Sequence, residues 1–435
     1  MYSISLAQNA FKPWAFHTTF EQRGALFLRL AALLRENADE FAELMHAEMH
    51  KPKTQGVAEI QKCALQCTHF ATQTSEYLQP EHYTFDTVQA TVFYEPSGVV
   101  FSIMPWNFPF WQVFRTCVPA LMAGNVCIVK HAPNVPKCGF AIEKLFLDAG
   151  FPQGVYQNVV LEIPEVEAYI AHSAVRLVTL TGSEQAGASV AALAGKYLKK
   201  SILELGGSDA FIVLPDADIK KAAAAAVQSR LSNNGQACIA AKRWLLHNDI
   251  AADFLAFVNE NIDIWIENTK NKENSTQILT ELARFDLKTQ IDAQVKDALT
   301  HNAHVLIEKT HENGHLTNAF PVFILENIND TMFLHSEEAF ATVATVYRFS
   351  TTDEAIRIAN NSNYGLGGSV WTENTETAAH IARYLEVGFV AINQAVASDP
   401  RLPFGGVKNS GFGRELGKEG IREMCVLKTV TQPNH

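Results

Sequence analysis

The feature that most constrains the fold is a regular alternation of short apolar segments and helical segments between residues 99 and 197. The pattern predicts strands at Val99–Met104, Val126–Lys130, Val155–Val160 and Leu177–Thr181, with helices at Phe110–Met122, Pro136–Ala149, Glu165–His172 and Gln185–Tyr197. The strands are apolar without alternation, which is typical of a parallel sheet covered by helices on both faces. We therefore predict an α/β fold with a doubly wound sheet, in which ligands bind at the carboxyl ends of the strands.

A second series of strands and helices follows the pair Gly206-Gly207, where we place a boundary. It predicts strands at Ala210–Leu214 and Trp244–His247, a helix capped by Asp218, and a helix at Ile250–Trp265. Before the first series, the spacing predicts two helices within Glu21–His50 that break near Asn37, a helix at Gln55–Tyr77 and a strand at Thr84–Tyr94.

Composition and charge exclude several classes of function. The net charge of −11 argues against nucleic acid or an anionic membrane surface as a partner. Seven cysteines without a C-x-x-C pair fit a reducing compartment, and residues 1–10 lack the features of a signal peptide, so we expect a cytoplasmic protein. His46 and His50 lie four apart, but the order of H-E-x-x-H is not matched, and we expect no metal site.

Cys238 is the cysteine best placed to act as a nucleophile. It follows a polar turn, Asn234-Gly235-Gln236, which suits an exposed position, and a nearby helix N-terminus would lower the pKa of its thiol. The competing interpretation is inert packing, which is the usual state of a cytosolic cysteine.

Two further polar residues stand at the ends of apolar strands. Glu204 lies between two leucines, where burial would raise its pKa and make it a general base, unless it pairs with Lys199 or Lys200. Asn107 lies between two prolines and could donate to an oxyanion or form an Asx-turn. The segment Thr181-Gly182-Ser183 is a weak signal for phosphate binding between a strand and a helix.

Taken together, the motifs resemble the aldehyde dehydrogenase superfamily. In family order they are P-W-N-F-P at 105–109, T-G-S at 181–183, L-E-L-G-G at 203–207, G-Q-A-C at 235–238, E-A-F at 338–340, N-S-N-Y-G-L at 361–366 and P-F-G-G-V-K-N-S-G-F-G-R-E at 403–415. The resemblance covers about residues 50 to 420. It implies a Rossmann-like cofactor domain, a second α/β catalytic domain and a small β arm for oligomerisation.

The resemblance also implies roles for individual residues. Cys238 would be the thiolate nucleophile, Asn107 and the backbone N–H of Cys238 the oxyanion hole, and Glu204 the base that activates water. The residues expected at a nicotinamide cofactor, NAD or NADP, are Trp106, Lys130, His131, Pro133, Gly182, Ser183, Glu338 and Phe340. Pro133 stands where relatives that select NAD often have a glutamate, so NADP should be tolerated, and His131 could contact its 2′-phosphate.

The stretch Met104–Arg115 resembles a bacterial subgroup of the succinate-semialdehyde dehydrogenase branch. Arg115 would then bind the distal carboxylate of a small aldehyde, with Ser398 and Arg401 as further donors; the competing interpretation of Arg115 is a structural ion pair. Other possibilities are a dehydrogenase for other small or aromatic aldehydes, an enzyme that acylates coenzyme A, or a silent homologue that serves as a binding protein. The residues Ala341-Thr342, which replace the usual Gly-Pro after Phe340, leave the last possibility open.

By the same resemblance the chain divides into three units. Residues 1–82 and 100–206 would form the cofactor-binding domain, residues 207–410 the catalytic domain, and residues 83–99 and 421–435 the oligomerisation arm. An exposed arm of this kind pairs with a neighbouring subunit by strand addition, so we expect a homodimer or homotetramer.

Overall fold

The computed structural model describes residues 2–271, 274–310 and 317–433. The units predicted from the sequence also include residues that lie outside this description, namely 1, 272–273, 311–316 and 434–435. The α-helices are α1 Tyr2–His17, α2 Phe20–Glu36, α3 Ala38–Met49, α4 Lys53–Tyr77, α5 Trp111–Met122, α6 Pro136–Asp148, α7 Val166–Ala171, α8 Glu184–Lys196, α9 Ile219–Leu231, α10 Ala251–Lys270, α11 Phe285–Thr300, α12 Phe333–Ser336, α13 Thr352–Asn360, α14 Thr375–Tyr384 and α15 Gly417–Glu423.

The strands follow the same chain order. They are β1 Glu81–Thr84, β2 Val88–Pro96, β3 Val99–Ile103, β4 Val126–Lys130, β5 Tyr156–Val159, β6 Val175–Thr181, β7 Lys200–Glu204, β8 Asp209–Val213, β9 Ala241–His247, β10 His304–Lys309, β11 Val322–Glu326, β12 Val343–Phe349, β13 Tyr364–Gly365, β14 Gly367–Trp371, β15 Phe389–Ile392, β16 Val407–Lys408, β17 Gly411–Phe412 and β18 Cys425–Pro433.

The predicted doubly wound sheet is confirmed. Six strands are arranged in the order β17-β7-β6-β3-β4-β5, and all pairs are parallel except the edge pair of β17 with β7. The chain runs from β3 outwards through β4 to β5 and then returns to β6 on the other side of β3. The strand order therefore reverses between β3 and β6, and the loops after these two strands flank the crevice where open α/β sheets bind ligands.

A second sheet follows in the order β10-β11-β12-β9-β8-β14-β15. Its strands are parallel except for the antiparallel edge strand β10. The helix after β8 begins as the sequence predicts, because the Asp218 side chain accepts a hydrogen bond from the backbone N–H of Lys221 at 3.1 Å.

A third sheet joins two distant parts of the chain. The nine-residue strand β18 pairs antiparallel with β2, with Cys425 opposite Pro96 and Pro433 opposite Val88, and β1 pairs with the other edge of β2. The single strand predicted at Thr84–Tyr94 is therefore wrong in detail, because the chain turns back between β1 and β2.

The N-terminal helices agree with the sequence in part. Helix α1 packs on strands β3, β4 and β5, whereas α2, α3 and α4 pack on one another and on helices α5 and α6. The break near Asn37 is confirmed, since Asn37 separates α2 from α3 and its side chain donates to the carbonyl of Leu33 at 2.7 Å. Helix α1 was not predicted. It contains Pro13 and buries only three residues, so its apolar periodicity is weak. Among the described residues, no helix is both long and apolar enough to cross a membrane.

Candidate active site

Cys238 lies in the loop between a short 3-10 turn, Ser232–Gly235, and strand β9. Asn233 and Asn234 take left-handed backbone conformations with φ of 53° and 55°, which asparagine tolerates better than most residues. The thiol is half-buried and lines a cavity of about 420 Å³. The other six cysteines are buried, so Cys238 is the one that faces open space.

The low pKa expected for the Cys238 thiol is not found, and that expectation was wrong. A strand, not a helix, follows the cysteine. Burial raises the pKa of the Cys238 thiol to about 12, an effect that Arg115 and Lys242 oppose and that Glu338 and Glu204 reinforce. The free protein therefore holds Cys238 as a thiol.

Asn107 connects the loop after β3 to the loop that carries Cys238. Its side-chain amide donates to the carbonyl of Gln236 at 3.1 Å, and Asn233 donates to the Asn107 carbonyl at 2.9 Å. The side chain thus bonds to a residue far along the chain instead of forming an Asx-turn. These contacts place a buried amide donor close to the Cys238 loop.

Glu204 ends strand β7 and is 2 % exposed. Burial, reinforced by the charge of Glu415, raises the pKa of its carboxyl to about 8, against the opposing effects of Arg115 and Arg414. The alternative pairing with Lys199 or Lys200 does not occur, because Lys200 pairs with Glu423 and Lys199 donates to the carbonyl of His172. The expected upward shift in the pKa of Glu204 is confirmed.

Arg115 lies on α5, where it lines the cavity and is 2 % exposed. Its Nε forms an ion pair with Glu415, its Nη2 is 3.9 Å from Oε2 of Glu204, and the same Nη2 donates to Thr181 Oγ1 at 3.3 Å. The structural ion pair weighed as an alternative is thus present, in a residue that also faces the cavity.

Of the two further donors expected for the substrate, Ser398 lines the cavity and Arg401 does not. The side chain of Arg401 is 74 % exposed and binds Asp399 through Nε at 2.8 Å and Nη2 at 2.6 Å. The prediction that Arg401 binds the substrate is therefore wrong. Arg401 is a surface residue that stabilises the loop after Ser398 by binding Asp399.

Four of the residues expected at the cofactor, Trp106, Lys130, Gly182 and Ser183, lie at the carboxyl edge of the first sheet. Ser183 caps α8 by accepting from the backbone N–H of Ala186 at 3.3 Å, and Gly182 precedes it directly after β6. Lys130 ends β4, and Trp106 lies in the loop after β3. A strand that leads through glycine into a capped helix N-terminus suits a pyrophosphate, so the residues present fit a dinucleotide.

His131 does not reach the position predicted for it. Its ring is buried, its Nε2 lies 2.9 Å from the carbonyl oxygen of Pro109, and burial lowers its pKa to about 4. The neutral, inward-facing ring argues against contact with a 2′-phosphate. Pro133, two residues later, is exposed.

Glu338 and Phe340 follow the short helix α12. The Phe340 ring stands edge-on to Trp106 with centroids 5.9 Å apart. Glu338 Oε1 is 2.8 Å from Lys242 Nζ and accepts from the backbone N–H of Gly207 at 3.2 Å. In turn, Lys242 donates to the carbonyl of Cys238 at 2.6 Å, so one cation links the Glu338 carboxylate to the cysteine loop.

Sequence reasoning missed Lys62, Lys242 and Glu415. In the sequence, nothing distinguishes the two lysines from ordinary surface lysines. Only the fold brings Lys62 of α4 into the cavity wall. Glu415 lies at the end of the motif at 403–415, and its pairing with Arg115 is visible only in the fold.

Comparison with known proteins agrees with this geometry. Residues 2–430 match the Aldehyde dehydrogenase family, and the chain belongs to that family. It is 42 % identical over 429 residues to a probable succinate-semialdehyde dehydrogenase [NADP(+)] of Synechocystis sp., covering 98 % of this chain and 93 % of the relative.

Two further relatives are also named as succinate semialdehyde dehydrogenases. The chain is 40 % identical to the succinate semialdehyde dehydrogenase [NAD(P)+] Sad of Escherichia coli, covering 98 % of this chain and 92 % of the relative. Its structure is similar to that of a succinic semialdehyde dehydrogenase from Streptococcus pyogenes in complex with NADP+. The TM-score is 0.93 and the identity 33 %, covering 100 % of this chain and 94 % of the other.

Proposed function

We propose that this protein is an NAD(P)-dependent aldehyde dehydrogenase that oxidises succinate semialdehyde to succinate. The observation that carries the proposal is the single cavity that exposes the Cys238 thiol together with the cationic side chains of Arg115 and Lys62. A thiol matches the aldehyde end of the substrate, and cations match its carboxylate end. The names of the relatives from Synechocystis and Escherichia coli support the same substrate.

In the first half of the reaction, Cys238 Sγ bonds to the aldehyde carbon as the thiol proton passes to solvent water. The carbonyl oxygen gains the negative charge, and the Asn107 amide and the backbone N–H of Cys238 donate hydrogen bonds to it. When bound, the nicotinamide supplies the hydride acceptor that no side chain can provide. The acyl group then remains on Cys238 as a thioester.

In the second half, Glu204 takes a proton from water as the water oxygen attacks the thioester carbon, and the Cys238 thiolate leaves. A carboxyl with a pKa of about 8 is basic enough for this task and exists partly as the carboxylate near neutral pH. Arg115 stabilises that carboxylate from 3.9 Å. Succinate is released, and the proton held by Glu204 passes to the thiolate, which regenerates the thiol and the Glu204 carboxylate.

The cofactor proposal rests on the loops that flank the reversal in strand order. Gly182 and Ser183 would hold the pyrophosphate at the N-terminus of α8, and Lys130 a ribose. Glu338, with its partner Lys242, would hold the nicotinamide-side ribose, and Phe340 and Trp106 would pack nearby. The exposed Pro133 carries no charge, so it does not repel the 2′-phosphate of NADP.

We assign the three larger sheets the roles expected from the sequence. Residues 1–82 and 100–206 bind the cofactor, residues 207–410 carry the nucleophile, and residues 83–99 and 421–435 form the oligomerisation arm. Strand β18 leaves Val426, Leu427 and Val430 exposed by 48 %, 67 % and 49 %. Apolar side chains on an edge strand favour pairing with a second copy of the chain, as a dimer or tetramer.

A panel of aldehydes tests the proposed reaction. We expect NAD(P)H formation with succinate semialdehyde at a kcat/KM at least ten times that for hexanal or benzaldehyde, because only the first has a carboxylate to meet the cations. The aromatic walls formed by Trp111 and Phe404 would favour benzaldehyde if the cavity selected apolar substrates. A preference for benzaldehyde, or no turnover of any aldehyde, would reject the proposal.

A further inference from the structure

The cavity contains two cationic side chains that differ in how their charges are balanced. The Arg115 guanidinium is buried, is paired with Glu415 and lies close to Glu204. Its charge is thus largely neutralised by carboxylates of the protein itself. A substrate carboxylate that bound only to Arg115 would share the guanidinium with the carboxylate of Glu415, and the repulsion between the two carboxylates would offset much of the attraction.

Lys62 has no such partner. It extends from α4 into the cavity wall, where Nζ lies 4.3 Å from the centroid of the Trp111 ring and donates to Ser398 Oγ at 2.8 Å. Among the described residues, no carboxylate lies within ion-pair distance of this ammonium group. The two acidic side chains whose charges act on Lys62 are bound to other cations, since Asp399 binds Arg401 and Glu59 binds Lys51.

The contact with Ser398 also settles how that hydroxyl group can act. Ser398 Oγ accepts the hydrogen bond from Lys62, so its own proton remains available to a second acceptor. An ammonium group and a hydroxyl group that line the same cavity can bind one carboxylate between them. The ring of Trp111 holds the lysine stem and ammonium by a cation–π contact, which limits the entropy lost when an anion binds.

We propose that Lys62, held by Ser398 and Trp111, is the residue that binds the distal carboxylate of the substrate and so determines specificity for a carboxylate-bearing aldehyde. Arg115 contributes to the positive potential of the cavity, but its direct partners are Glu415 and Glu204. This inference rests on the proposed function and deepens it, because it names the group that recognises the substrate.

The test compares succinate semialdehyde with butanal, which has the same chain length and no carboxylate. Lys62→Met removes the charge and keeps the apolar stem. We expect its KM for succinate semialdehyde to rise about 10- to 100-fold, as for the loss of one charge-assisted hydrogen bond. Its kcat and KM for butanal should stay within about twofold of the wild type, and Lys62→Arg should restore part of the lost affinity.

Lys53→Met is the matched control. Lys53 lies on the same helix but is exposed and paired with Glu43, so this variant should retain wild-type kinetics with both aldehydes. Competitive inhibition by succinate gives a second readout without turnover, and Lys62→Met should weaken it by the same factor as KM.

The outcomes separate the two proposals. If the wild type prefers succinate semialdehyde and Lys62→Met, still folded by circular dichroism, keeps that preference, the role of Lys62 is overturned and the proposed function stands. If the wild type does not distinguish succinate semialdehyde from butanal, the proposed function fails, and the role of Lys62 fails with it.

Discussion

Arg115 Nη2 lies 3.9 Å from Oε2 of Glu204, and both side chains are almost completely buried. The guanidinium is therefore the nearest positive charge to the proposed base, while its own ion pair with Glu415 fixes its position. This arrangement keeps the pKa of Glu204 at about 8, lower than burial beside Glu415 alone would set it.

The first prediction concerns the pH dependence of thioester hydrolysis. Glu204 acts as a base only in its carboxylate form, so the rate should rise with pH through about 8 and level off above it. Arg115→Leu removes the charge that opposes protonation, so the rising limb should move to higher pH. Rates of acid release measured between pH 6 and pH 10 test this, with Arg115→Lys as the charge-retaining control; an unchanged limb in Arg115→Leu would contradict the assignment.

The second prediction concerns cofactor choice. Pro133→Glu places a carboxylate on the exposed turn after β4, where we expect the 2′-phosphate of NADP. Repulsion should lower kcat/KM for NADP about tenfold and leave that for NAD nearly unchanged. Pro133→Gln is the neutral control for the change in backbone and size. Equal effects of Pro133→Glu on the two cofactors would place the phosphate elsewhere.

The third prediction concerns a buried ion pair that supports the Asn107 loop. Glu59 Oε1 accepts from the backbone N–H groups of Phe110 and Trp111 at 2.9 Å each, at the start of α5, and Lys51 neutralises the same carboxylate. Lys51→Met leaves a buried charge unpaired and should destabilise the protein by roughly 3 kcal/mol, measured by urea unfolding.

Lys53→Met is again the comparison, because its exposed ion pair with Glu43 should contribute less than about 1 kcal/mol. Similar unfolding midpoints for Lys51→Met and Lys53→Met would show that the Lys51–Glu59 pair adds no stability.

The fourth prediction concerns assembly. Leu427 is 67 % exposed on the edge strand β18, and we expect Leu427→Asp to convert the oligomer to a smaller species in light scattering. Leu198→Asp is the control, since Leu198 is 93 % exposed and lies in the turn before β7 rather than on the arm. A monomeric wild type, or an oligomer unaffected by Leu427→Asp, would refute the role of the arm.

The sequence predicted the elements whose signals are local. Strand β4, Val126–Lys130, begins and ends where predicted. Its four apolar residues and the lysine that follows them lie between a turn at Gly124 and Pro133. The cap at Asp218 was predictable for the same reason. The turn between β1 and β2 was missed because residues 85–87 include no glycine or proline to mark it.

The site was predictable only as far as its motifs reach. Cys238, Glu204 and Asn107 stand in recognisable segments, and the direction of the Glu204 pKa shift followed from two flanking leucines. The environment of Arg115 was not predictable in this way, because Glu415 is 300 residues away in sequence and reaches it only through the return of the chain to the first sheet at β17. His131 and Arg401 were misplaced because spacing does not determine which way a loop side chain turns.

The most direct test of the central claim is a rapid-mixing experiment with Glu204→Gln. If Cys238 is the nucleophile and Glu204 the base, this variant should release close to one equivalent of NAD(P)H per site in a burst and then turn over at least about 100-fold more slowly than the wild type. Mass spectrometry of the stalled protein should find the succinyl group on Cys238, and Cys238→Ala should show neither burst nor adduct. A burst that survives in Cys238→Ala, or an acyl group on another residue, would contradict the account.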